Sequence, residues 1–158
     1  MTIGLWILLL IVLLWFCLQL GVDVTVTVAN VAKGNDNTFR DVISGDTITA
    51  GQPVYLDASD SNKAKRCDSN VSQLVAAAIG VALHASLAGQ PLRVITGGTW
   101  TPGFTTALGV IYCVSSTAGG IAPSADMTTG DYVTVLMIGS ETTAKAKMLI
   151  GSANGVKA

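Results

Sequence analysis

The chain has 158 residues and a net charge of −1, from nine basic and ten acidic side chains. Half of it is apolar and only 12% is charged, against about 25% in ordinary soluble proteins. That balance excludes a nucleic-acid binder working by phosphate neutralisation and excludes a disordered chain, and the length suits one domain with much of its surface hidden.

The first element is the run Ile3–Leu20, in which Gln19 is the sole polar side chain and no charge occurs before Asp23. Leucine-rich and apolar on every face, it predicts a helix of about 27 Å that must be covered all round. The cover is either a bilayer or protein, with Leu5, Trp6, Leu9, Val12, Leu13, Trp15 and Phe16 as the oligomer- or membrane-contacting side chains. A cleaved leader is the third reading, but no basic residue precedes the run and no small-x-small site follows it.

From Val22 the period changes to two. Valines 22, 24, 26 and 28 alternate with polar residues, which predicts a half-buried strand, and Ala32–Arg40 predicts a loop. The stretch Thr47–Ala50 ends in a turn at Gly51-Gln52-Pro53, and Val54–Leu56 follows as a strand. Asp57–Asn70 is expected to be a long polar connection. Leu74–Leu83 is expected to be a short helical turn running into a strand. Further strands are expected at Leu92–Thr96, Val110–Ser115 and Tyr132–Ile138, with Lys145–Ile150 closing the sheet. Glycine-punctuated short strands of this kind predict a mainly β fold, a small barrel or sandwich preceded by the N-terminal apolar α-helix. The division is then an apolar helix over 1–21, an extended arm and loop over 22–41, and a β-domain over 42–158.

One short repeat is present. Ala50-Gly51-Gln52-Pro53 and Ala88-Gly89-Gln90-Pro91 each lead straight into an apolar run, which reads as two similar strand entries in one fold.

No catalytic set is apparent. His84 is the single histidine and has no acid beside it in sequence; a surface or partner-contact role suits it. The cysteines Cys17, Cys67 and Cys113 have no metal spacing and read as free thiols, with an intersubunit disulfide through Cys67 as the sharper alternative. Asp57 and Asp60 lack the glycine and distal glutamate of a calcium loop. Lys63, Lys65 and Arg66 form a small basic turn, which reads as a solvated loop. These residues predict no enzyme, no cofactor and no metal.

The order of the motifs is more informative. Ala50-Gly-Gln-Pro-Val-Tyr-Leu-Asp57, Ala78-Ile-Gly-Val-Ala-Leu83, Ala88-Gly-Gln-Pro-Leu-Arg-Val94, Ala118-Gly-Gly-Ile-Ala-Pro123 and Gly130-Asp-Tyr-Val-Thr-Val-Leu136 together resemble the capsid cement (head decoration) proteins of tailed bacteriophages. The likeness spans roughly Val42–Ile150. It implies a non-enzymatic homotrimer on the outer face of a virion, bridging subunits of the major capsid protein. It also implies an N-terminal arm reaching a neighbouring chain, carried here by Val22, Val24, Val26, Val28 and Phe39. The run Ile3–Leu20 departs from that pattern and keeps open a second expectation, a membrane-anchored surface or binding module.

Overall fold

The computed structural model describes residues 23–140, 144–151 and 155–158. In chain order the strands are β1 (Val31–Ala32), β2 (Thr38–Ile43), β3 (Pro53–Asp57) and β4 (Lys63–Arg66), then a single helical turn α1 (Gln73–Ala76). They continue as β5 (Gly80–Ala82), β6 (Pro91–Gly97), β7 (Thr99–Pro102), β8 (Ile111–Val114) and β9 (Ile121–Pro123). The last are β10 (Tyr132–Val133), β11 (Val135–Gly139), β12 (Ala146–Met148) and β13 (Gly155–Val156).

The mainly β expectation holds for this body, but the fold class needs correction at its N-terminal element. Ile3–Leu20 lies outside the described residues. Among those described, the α-helix is the four-residue turn α1, and no helix is long and apolar enough to cross a membrane. The turn starts where Ser72 Oγ accepts from the Val75 amide and stops because Ala77 leaves the helical region. The apolar run Ile79-Gly80-Val81-Ala82 after it returns the chain to the extended state as β5.

Two sheets make the architecture. Five strands pair antiparallel in the order β2-β6-β5-β3-β4, and six in the order β1-β7-β12-β11-β8-β9. β10 and β13 form a small separate pair. The chain crosses between the large sheets at Gly97-Gly98, so that β6 of one runs almost directly into β7 of the other. Gly98 has φ +87°, and a Cβ there would lie 2.4 Å from the Asp36 carbonyl oxygen; no other residue type makes this corner without strain.

The inner strands β3, β5 and β6 of the five-stranded sheet bury side chains on both faces, and the period of two assigns them. Tyr55, Val81 and Ile95 face the second sheet and join Trp100, Tyr112, Val114, Ile121, Leu136 and Met137 in the main core. Their neighbours Val54, Ala82 and Val94 point the other way, into a smaller core with Ile48, Ala64 and Leu92. The sheet curls round that smaller core. Its two edges meet where Gly45 N donates to Ala64 O at 2.8 Å, beside the parallel bridge of Ser44 with Ala64.

The repeated turns lock this curl. Ile48 and Ser86, equivalent positions of the two copies, exchange both backbone hydrogen bonds at 2.9 Å. Gly51 N donates to Ala82 O and Gly89 N to Ser44 O; Ala82 N donates to Gln52 O and Ser44 N to Gln90 O. Each copy thus binds the strand that enters the other. The two strand entries expected from the sequence are one reciprocal unit.

Several element expectations are corrected. The described part of the expected strand Val22–Val28 is no strand: residues 23–27 make no ladder, although Val24 and Val26 are half-buried and Thr25 and Thr27 exposed, as alternation demands. The expected loop Ala32–Arg40 contains the first half of β2, and the polar connection Asp57–Asn70 contains β4. β7 and β9 are further strands that sequence reading omits. Lys145–Ile150 does contribute a strand, but an inner one that does not close the sheet, since β12 lies between β11 and β7.

Candidate functional site

Of the side chains singled out from sequence, Leu5, Trp6, Leu9, Val12, Leu13, Trp15, Phe16 and Val22 lie outside the described residues, as does Cys17. Val24 and Val26 pack with Val31 against the main core, whereas Val28 and Phe39 are exposed. Residues 23–27 lie along the chain's own body as a strap. Val24 N donates to Ile121 O at 2.9 Å and Thr27 N to Gly103 O at 2.8 Å. Asp23 accepts from the Ser115 hydroxyl. Ile121 belongs to edge strand β9 and Gly103 follows β7 near the opposite edge, so the strap ties both margins of the six-stranded sheet.

Cys67 is not in an exposed turn. It is fully buried in the main core, and burial raises its thiol pKa far above the ordinary value; the buried Cys113 thiol is pushed up to about 11 by the same cause. An intersubunit disulfide through Cys67 is therefore overturned, since its sulfur reaches no surface. Both thiols are free. His84 is exposed; its Nδ1 lies 2.9 Å from the Ala85 carbonyl oxygen and its Nε2 accepts from Arg93 N at 3.1 Å. It braces the β5–β6 turn and faces no nucleophile among these partners.

The basic turn of the sequence is strand β4, and its charges are spent on aspartates. Lys65 Nζ is 2.8 Å from Asp57 and 3.3 Å from Asp60, Lys63 Nζ is 2.8 Å from Asp60, and Arg66 Nε is 2.7 Å from Asp46. Lys65 and then Ser59 hold the Asp57 carboxyl at about 2. Ser61 and Asn62 turn the hairpin in the left-handed region, and Asp57 caps the turn before them by accepting from Ser59 N. Among the described residues no group of acids, histidines and cysteines is placed to hold a metal.

Two surfaces remain open. The first is the edge of the five-stranded sheet along β2, before it meets β4 at Ser44 and Gly45. On β2, Arg93 from β6 makes a two-point pair with Asp41 at 2.7 and 2.9 Å and lies 5.8 Å over the Phe39 ring. Ile43 is exposed on the same strand, so β2 presents unpaired backbone along one side flanked by two large apolar side chains.

The second is a groove along β7. Its wider part, of about 600 Å³, is lined by Thr25, Thr27, Asn30, Thr101, Phe104 and Thr105. A narrower part of about 400 Å³ shares Thr101 and adds Lys33, Asn35, Asp36, Thr99 and Lys145. The 33–37 loop that forms its wall is firmly seated. Asp36 Oδ1 accepts from Thr99 N at 2.9 Å, and the Asn37 side-chain amide donates to Gly97 O and Thr99 O at 3.0 Å each. Asp36 is held below its ordinary pKa, first by the Thr99 amide and more weakly by Lys147. Sequence reasoning missed this groove because Lys33 and Lys145 come together only through the β1-β7-β12 order.

Comparison with known proteins gives little beyond this. No family profile and no characterised protein matches the sequence. Among solved structures, the N base of the head fiber gp8.5 of bacteriophage phi29 superposes with a TM-score of 0.45 at 12% identity, covering 77% of this chain and 99% of that one.

Proposed function

We propose that this protein is a non-catalytic structural component of a phage virion, bound to the capsid shell and stabilising it, with the homotrimeric bridging of neighbouring capsid subunits as its finer form. The observation that carries the reading is the ordered series of turn-plus-strand motifs in Ala50–Asp57, Ala78–Leu83, Ala88–Val94, Ala118–Pro123 and Gly130–Leu136, with its resemblance to capsid cement proteins. The physics supports it. Such a role asks for a rigid body with extended contact surfaces and no chemistry, and a lightly charged Thr/Ala/Gly surface packs closely against like subunits. Many modest contacts repeated over a shell add up through multivalency. The open edge of β2 and the groove along β7 belong to different sheets, and a bridging component needs two contact surfaces.

The test is made on purified particles of the phage that encodes the chain. They are expected to contain the protein in many copies, and particles lacking it should release DNA at a lower temperature. Its absence from particles sinks the reading. Sedimentation of the full chain is expected to give a trimer, and a monomer at all concentrations would remove the bridging form.

A further inference from the structure

We propose that the narrow part of the β7 groove, between Lys33 and Lys145, is a binding site for a carboxylate carried by an acidic segment of a partner protein. The inference does not depend on the capsid reading; it follows from how charge is distributed in this chain. Lys63, Lys65, Arg66 and Arg93 are all ion-paired with aspartates. Neither Lys33 nor Lys145 is in an ion pair among the described residues, although both line one cleft. Nor is Lys147, which lies close enough to Asp36 to lower its pKa.

A folded surface with few charges rarely leaves cations together, because their repulsion is relieved by nothing within the chain. Here both line one cleft, and the backbone that carries each is rigid. Gly34 packs so closely on β7 that a Cβ would lie 1.9 Å from the Thr99 carbonyl oxygen. Across the cleft, the Lys145 carbonyl oxygen accepts from Ser140 N and from Thr106 Oγ1, at 3.0 Å each. Both lysines therefore stand on preorganised walls, which lowers the ordering cost of binding.

The balance of charge selects the ligand class. The lining carries Lys33 and Lys145 against Asp36, a net of +1 (2 − 1). That matches a single carboxylate. A phosphate monoester, with a charge of about −1.5 to −2, would overcompensate the lining and be repelled by the Asp36 carboxylate more strongly than a singly charged carboxylate is. The Asn35 amide and the Thr101 hydroxyl add neutral donors, and the cleft's volume of about 400 Å³ suits one or two side chains rather than a folded surface. The adjoining threonine-lined part of the groove gives an extended segment room to continue past Thr101 towards Phe104.

The experiment uses the full chain and fluorescein-labelled hexaglutamate, followed by fluorescence polarisation at low ionic strength. Wild type is expected to bind and to weaken as salt is raised. The double variant Lys33→Ala/Lys145→Ala should lose about fivefold or more in affinity, while Arg40→Ala, an exposed cation outside the cleft, should stay within about twofold. Excess N-acetylglutamate should displace the peptide better than inorganic phosphate at equal ionic strength. Absence of wild-type binding, equal weakening by Arg40→Ala, or better displacement by phosphate would each overturn the assignment. Thermal melting of every variant guards the comparison. If the alanine pair melts early, Lys33→Gln/Lys145→Gln replaces it, and unchanged affinity in a stable glutamine pair counts against the site.

Discussion

At the scale of single residues, the repeat offers an internal control. Gly51 and Gly89 occupy equivalent turns with φ of +87° and +83°. A Cβ on Gly89 would meet nothing within 4 Å, whereas one on Gly51 would lie 2.5 Å from Val26 Cγ1 in the strap. Gly89→Ala is therefore expected to cost only the left-handed penalty of about 1–2 kcal/mol. Gly51→Ala should cost about 1–3 kcal/mol more, because it also pushes the strap from its seat. Urea unfolding of the two variants measures the difference, and equal losses would mean that the strap is not held at Gly51. Charge gives a second prediction at this scale. Asp57 titrates at about 2 instead of its ordinary 3.8, because the folded state favours the carboxylate through Lys65 and Ser59. Its contribution is complete above about 3.8 and is lost as pH falls towards 2. Asp57→Asn should accordingly be less stable than wild type near neutrality and lose less on acidification. Unfolding midpoints taken from pH 5 downwards would test this; parallel curves would show that the pair with Lys65 adds nothing.

At the scale of elements, the two Gly-Gln-Pro turns were legible in the sequence because glycine and proline specify backbone directly. The strands after them were legible because Val54 and Tyr55 in one, and Leu92, Val94 and Ile95 in the other, are buried apolar residues. β2 and β4 were not. Thr38–Ile43 is an edge strand paired on one side only and largely exposed, so it shows no alternation. Lys63–Arg66 buries only Ala64 and solvates its charges through aspartates that are distant in sequence or across the hairpin. The same reason hid the β7 groove, whose lysines are far apart along the chain. The burial pattern of Val24 and Val26 was correctly indicated, but alternation cannot tell a ladder strand from an extended strap that docks through two hydrogen bonds. The reciprocal turns carry their own prediction. Ile48 is fully buried at their junction in the smaller core, so Ile48→Ala should cost about 2–5 kcal/mol. Because each turn bonds the strand entering the other, amide exchange at Gly51 and at Gly89 should accelerate together. Acceleration at Gly51 alone would show that the turns open separately.

At the scale of the whole molecule, the question is whether two sheets with two cores behave as one cooperative body. Alternation along β6 bears on it directly. Val94 fills the smaller core and the next residue, Ile95, fills the main core between the sheets; both are fully buried. Tyr55 and Val81 reach across in the same way from β3 and β5. The chain also passes from β6 to β7 with only Gly98 between them, so loss of order in one sheet removes the anchor of the other. Backbone bonds add to this: Ser69 N donates to Ser115 O and Gly119 N to Cys67 O, joining segments that flank different sheets. A single unfolding transition is therefore expected, and Ile95→Ala should lower it by about 2–5 kcal/mol without splitting it. Calorimetry gives the decisive comparison, since one transition requires the calorimetric and van't Hoff enthalpies to agree. Two resolved transitions, or a variant in which only one sheet loses amide protection, would mean that the curled sheet folds alone and that the strap and the β7 groove belong to a separable half.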